Sequence, residues 1–167
     1  VNSASALSAA AAAAIMALLV ARWTGRAAAG IAGALVGGTM ATVWQGATET
    51  EVYAHATLAV ALALLVADQA GIRWSDRHRT VIAFVFGLAV PLHISVLVAG
   101  PAVILLSATD RGGSFSLRAA LAPTAAWSLA VGLGTVSLAP LLAGGVIAVI
   151  ALLAPGGADQ AGQRRAA

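Results

Sequence analysis

Apolar residues run along this chain in blocks longer than a soluble core uses, and polar residues are confined to the short gaps between them. A stretch of about 18 or more uncharged apolar residues reads as a bilayer-spanning helix, because hydrocarbon offers an open backbone no hydrogen-bond partner. Residues 4–21, mostly alanine with Ile15, Met16, Leu18, Leu19 and Val20, predict a first helix roughly 27 Å long. Residues 27–46 predict a second, in which Gly30, Gly33, Gly37 and Gly38 form a small-residue stripe for close helix contact. Residues 52–70 predict a third.

The two remaining blocks are too long for one crossing each. A single helix over 80–108 would measure roughly 43 Å, against about 30 Å of hydrocarbon. Gly87, Pro91, Gly100 and Pro101 interrupt it, since proline removes a backbone donor and clashes with the preceding turn. A broken hairpin of 80–93 and 94–108, turning near His93 to Ser95, is expected. Residues 119–154, roughly 54 Å as one helix, divide into 119–135 and 137–154. The pattern predicts an all-α fold: a polytopic transmembrane bundle of about seven helices over 1–154. The polar, Gly-rich tail at 155–167 is expected to be disordered and cytoplasmic. No heptad or internal repeat is present.

Charge orients the bundle. All nine basic residues are arginines: Arg22 and Arg26, then Arg73, Arg77 and Arg79, then Arg111 and Arg118, then Arg164 and Arg165 in the tail. Arginine collects in cytoplasmic loops, so these gaps mark one face, with the N-terminus outside and the C-terminus inside. The hairpin over 80–108 keeps Arg111 and Arg118 with the others. Trp23 and Trp44 fall at span ends, as interfacial aromatics do. Asp68 lies near the end of the third span, within reach of Arg73, Arg77 and Arg79 for an interfacial ion pair.

Composition agrees with this class. The chain has 167 residues, 60% hydrophobic and 9% charged, where a soluble domain carries about 25% charge. Its net charge of +3 does not imply nucleic acid, because the arginines are dispersed over helix ends and form no patch. No cysteine is present, which excludes disulfides, thiol chemistry and cysteine metal sites. Residues 4–21 lack the basic leader of a signal peptide, and Arg22 follows them. The chain opens at Val1 and is expected to be a piece of a longer protein.

This topology sends Trp44, Gln45, Glu49, Glu51, Tyr53, His55 and His93 to the outer face. The arginine face holds Asp76, His78 and Asp110, ordinary solvated loop residues. Glu51 and His55 are four apart, one helical turn, and share a face. Two readings of Glu51 stand: a site residue, or the last member of a Thr48-x-x-Glu51 capping box. His55 either takes part in a site or hydrogen-bonds a neighbouring helix. His93 follows Pro91 in a broken apolar segment, and a polar group at that depth faces protein or a cavity. A divalent metal site from Glu49, Glu51, His55 and His93 has suitable ligand types without diagnostic spacing. No phosphate-binding glycine loop, nucleophile elbow or zincin helix occurs.

Trp44-Gln45 followed by Glu51-Val52-Tyr53-Ala54 resembles the W-x-Q…E-V-Y-A-L signature of the DUF2723 family. Val1-Asn2 with Ser5 resembles its V-N-L-L-S stretch. Gly87-Leu88-Ala89 with His93 resembles G-L-A-L-G-N-H, and Pro101 the L-L-P-A-L-L that follows. Pro91 and Leu92 stand where that family has Gly and Asn. The resemblance covers residues 1–106.

It implies the membrane-embedded portion of a GT-C-type glycosyltransferase, of the protein O-mannosyltransferase kind. Such an enzyme moves a sugar from a polyprenyl-phosphate carrier to a hydroxyl on a protein or glycan acceptor at the non-cytoplasmic face. It also implies a bacterial-type inner membrane, contact with membrane lipid, and no nucleic-acid partner. The general base of such enzymes is an acidic residue in the first outer loop, expected N-terminal to this chain, so the catalytic residue is unknown here and the piece alone is expected to be inactive. Glu51, Tyr53, His93, Trp44 and His55 are then expected to bind substrate. The competing expectation is a non-enzymatic or truncated membrane protein with a structural or assembly role. A small transporter fits less well, because intramembrane charge is nearly absent.

Overall fold

The computed structural model describes residues 3–48, 52–73 and 75–154, with the backbone alone at 47 and 48. The described residues form eight α-helices and one 3₁₀ segment, and their nearest approach to a strand is a single bridge between Thr109 and Phe115. The helices are α1 (Ser3–Thr24), α2 (Ala27–Gly38), α3 (Ala41–Thr48) and α4 (Tyr53–Arg73). After them come α5 (Asp76–Leu92), the 3₁₀ segment Ile94–Ala99, α6 (Gly100–Ala108), α7 (Leu117–Gly134) and α8 (Leu138–Leu153).

The expected count of about seven helices becomes eight because 27–46 is not one helix. It breaks at Thr39-Met40, after two glycines that favour helix least among non-proline residues. The Thr39 hydroxyl donates to the Leu35 carbonyl at 2.7 Å, a bond that competes with the helical ladder and bends it. The glycine stripe is also corrected. Only Gly30 meets a neighbouring backbone, where a Cβ would collide with the Ala17 carbonyl of α1. Gly38 leaves ordinary van der Waals room beside the Ala13 Cβ, and a Cβ on Gly33 or Gly37 would meet nothing within 4 Å.

The chain reverses at nearly every junction. Gly25, at φ +67°, supplies the left-handed residue that ends α1 and starts the return along α2. Beyond α4 a short turn at Ser75 sends α5 back, and α5 ends one residue past Pro91. His93 is extended (φ −171°, ψ 125°), and the 3₁₀ segment and α6 then run back toward the start of α5. Two contacts fix this second reversal. Arg79 Nη2 donates to the Ser107 carbonyl at 3.4 Å, and Gly71 on α4 lies so close to Leu106 and Thr109 that a Cβ would strike both carbonyls. The last pair, α7 and α8, packs through Gly132 against Leu141 and Gly144 against Leu129. Their far ends are joined by Arg118 Nη2 donating to the Ala154 carbonyl at 3.2 Å.

The core lies around α4. Ala56, Ala63, Ala67 and Ala70 pack against Ile82, Phe86 and Ala89 of α5, Val96 and Leu97 of the 3₁₀ segment, Val103 of α6 and Ala130 of α7. Small side chains on α4 let its neighbours approach closely, which is how helices associate when lipid removes the hydrophobic drive between them. Trp127 of α7 fills the space over Gly100 and donates its indole N–H to the Leu97 carbonyl at 2.7 Å. Large apolar side chains cover the outside: Val98 is 82% and Leu152 85% exposed. The buried set includes Ser5, Ser8, Asp68, Arg79, Ser107 and Ser128. Two helices, Ser3–Thr24 and Tyr53–Arg73, are long and apolar enough to cross a membrane, and Ala27–Gly38, Ile94–Ala108 and Leu138–Leu153 are shorter apolar helices. An apolar exterior around polar interior groups fits a membrane protein.

Candidate functional site

The bundle has two chemically different ends. At one, α1 and α4 finish together and α5 begins. Trp23 Nε1 donates to Asp68 Oδ1 at 2.9 Å, and Arg22 Nη1 stands 3.5 Å from Oδ2. Asp68 is therefore paired with the end of α1, not with Arg73, Arg77 or Arg79 as its position in the sequence suggested. The reason is helical phase: Arg73 lies five residues on, about 140° round α4. Arg79 instead bonds Asp76 at 2.6 Å, three residues earlier on its own helix. Asp110, read from sequence as solvated, orders its loop: Oδ1 accepts from the Gly112 and Ser114 N–H groups, each at 2.9 Å. These contacts are structural joints between helix ends.

The other end holds the residues of chemical interest. Tyr53 opens α4, and its ring lies 5.0 Å from the His93 imidazole, centroid to centroid, with the planes 58° apart. The tilted arrangement suits two aromatic rings with edge-positive quadrupoles. His93 reaches this position because α5 stops at Leu92. Proline at 91 cannot continue the ladder, the His93 N–H still bonds the Ala89 carbonyl at 2.9 Å, and the next peptide swings into an extended conformation. The His93 carbonyl then accepts from Val96 N–H at 3.1 Å as the 3₁₀ turn begins. Ser95 completes the group. Its backbone N–H donates to His93 Nδ1 at 3.2 Å, and its Oγ lies 2.6 Å from the same nitrogen.

The remaining expected residues fall around this pair. Gly46, near the end of α3, puts its Cβ position 3.9 Å from the Tyr53 Cβ, so the helix bearing Trp44 ends beside the site. Trp44 is 64% and Tyr53 52% exposed. His55 is half-buried between the buried Ala54 and Ala56. It lies two residues beyond Tyr53 and so about 200° round α4 from it, on another side of the helix. Glu49 and Glu51 lie outside the described residues. Among the described residues, no three His, Asp or Glu side chains gather as a metal site. Ser95 escaped the sequence reading, since histidine is not among the usual N-cap residues and His-x-Ser carries no capping signature.

A phenol, an imidazole and a hydroxyl grouped at a helix break can orient a polar ligand by hydrogen bonds. They hold no carboxylate, and the one hydroxyl–imidazole contact among them is Ser95 Oγ to His93 Nδ1 at 2.6 Å.

Residues 1–113 match the model of a family described as protein O-mannosyl-transferase TMEM260 N-terminal domain. No curated protein and no solved structure matches the chain.

Proposed function

We propose, from the premise that the chain belongs to the TMEM260 N-terminal domain family, that it is the membrane-embedded portion of a GT-C-like glycosyltransferase. It moves a sugar from a polyprenyl-phosphate carrier to a hydroxyl on a protein or glycan acceptor. The transfer takes place at the non-cytoplasmic face of a bacterial-type inner membrane, with the C-terminus in the cytoplasm. The helices make about seven crossings, α2 with α3 and the 3₁₀ segment with α6 each acting as one broken pass. The exposed apolar side chains of the bundle meet membrane lipid.

One observation carries this reading. Tyr53 and His93 are 40 positions apart in the sequence, yet their rings meet at 5.0 Å at the end of the bundle away from Arg22, Arg73 and Arg79. In the positive-inside arrangement that end is the outer surface, where a lipid-linked sugar is presented. His93, Tyr53 and Ser95 then hold the carrier phosphate or the acceptor hydroxyl, and Trp44, Glu51 and His55 are further substrate-binding residues in this proposal. Their role is positioning, which alone accounts for several kcal/mol of a barrier, roughly 7–11 in the best intramolecular cases.

The test is sugar transfer by membranes carrying the full-length protein. Glu51→Ala and His93→Ala are each expected to abolish transfer while the protein inserts and accumulates normally. Transfer at the unaltered rate in both variants would remove the assignment.

A further inference from the structure

From the geometry at the α5 break we infer that Ser95 is a positioning residue that fixes the tautomer of His93. The imidazole is thereby presented as a hydrogen-bond donor through Nε2, to a phosphate or hydroxyl oxygen of the substrate. This rests on the placement of His93 in the substrate site proposed above.

The argument is one of proton accounting. A backbone N–H can only donate, so the Ser95 N–H at 3.2 Å from His93 Nδ1 requires a lone pair on that nitrogen. Once Nδ1 carries that lone pair, the Ser95 hydroxyl 2.6 Å away is the donor in its contact with the ring. In the neutral ring one nitrogen is the donor and the other the acceptor, so the proton belongs to Nε2. The bond is built into the fold: His93 is the N-cap of the 3₁₀ segment, and its ring does there what an Asn or Asp side chain does at an ordinary helix start. Tyr53, 5.0 Å off and tilted, limits the swing of the imidazole. An Nε2–H donor suits an oxygen acceptor such as a phosphate. In this tautomer Nε2 cannot take a proton, so at that nitrogen His93 holds substrate and does not act as a general base.

Two isosteres separate the cap from the donor. The side-chain amide of Asn reaches only the Nδ1 position, so His93→Asn keeps the cap and loses the donor. The longer amide of Gln carries an N–H near the Nε2 position, so His93→Gln keeps the donor. Transfer by His93→Asn is expected to fall on the order of tenfold or more, with folding intact, and His93→Gln to retain most of the activity. In parallel, nitrogen NMR of histidine-labelled full-length protein in lipid nanodiscs reads the tautomer directly, the His93 signals being those lost in His93→Gln. The inference expects an unprotonated Nδ1 and a protonated Nε2, and the same tautomer in Ser95→Ala, whose backbone N–H still donates to Nδ1.

A proton on Nδ1 in the unaltered protein overturns the inference whatever the assays give. Full activity in His93→Asn overturns the donor role. Full activity in His93→Ala, with the Nε2–H tautomer observed, leaves the tautomer standing and removes instead the reading that His93 serves the sugar-transfer site.

Discussion

A single carboxylate, Asp68, ties the end of α1 to the end of α4 while being only 6% exposed itself. It accepts from Trp23 at 2.9 Å and faces Arg22 at 3.5 Å, so replacing it removes the partner of a half-exposed indole and of a guanidinium. Asp68→Leu is expected to destabilise the protein by about 1–3 kcal/mol, and Asp68→Asn by less, because the amide oxygen still accepts from Trp23. Thermal unfolding in detergent measures both. Val136 makes the opposite case. It sits at φ +51°, a conformation a β-branched residue adopts at a cost, in the turn where Ser137 N–H bonds the Gly132 carbonyl at 2.9 Å. It is 92% exposed and contributes little packing. Val136→Gly is expected to raise stability by roughly 1 kcal/mol, less a few tenths for the freer unfolded chain; an unchanged or lower midpoint would contradict the strain. An ion pair for Asp68 was legible in the sequence, but its partner was not. Spacing along one helix says nothing about which other helix arrives, and Arg22 is 46 residues away.

At the scale of elements, the sequence shows where helices are interrupted better than it shows how they pack. Pro91 and the glycines of 80–108 point to a break near His93, and the chain does reverse there, with Arg79 bonded to Ser107 on the returning arm. The weak Gly37-Gly38-Thr39 step inside 27–46 was not read as a break, because glycine within an apolar run also serves close packing. Which glycines pack closely depends on the neighbour that arrives. Gly71 presses on the backbone of α6, and carbonyl oxygens there cannot rotate away as a side chain would. Gly71→Ala is expected to cost about 1–3 kcal/mol, the usual penalty of overpacking. Gly33→Ala and Gly37→Ala, which meet nothing within 4 Å, are expected to be neutral or to stabilise α2 by up to about 1 kcal/mol. Equal losses at all three positions, read from the same unfolding curves, would mean that α2 has a neighbour beyond those described.

At the scale of the whole molecule, two sortings coincide. Alanine and glycine lie between helices while Val98, Leu152 and their like face out, and the arginines among the described residues gather at one end while Tyr53 and His93 meet at the other. The arginine periodicity made the second sorting legible before any fold was known. The first was not, since apolar residues in every position of a span leave no face to choose. Sidedness is the central claim, because the sugar-handling role of the Tyr53–His93–Ser95 group requires it to open on the non-cytoplasmic surface. The chain contains no cysteine, so single cysteines can be placed without background. The deciding measurement is labelling of intact cells by a membrane-impermeant maleimide, with Val52→Cys beside the site and Gly112→Cys in the arginine-bearing loop. The account expects Val52→Cys to label from outside and Gly112→Cys to label only after the membrane is opened. Labelling of both from the same side would contradict it.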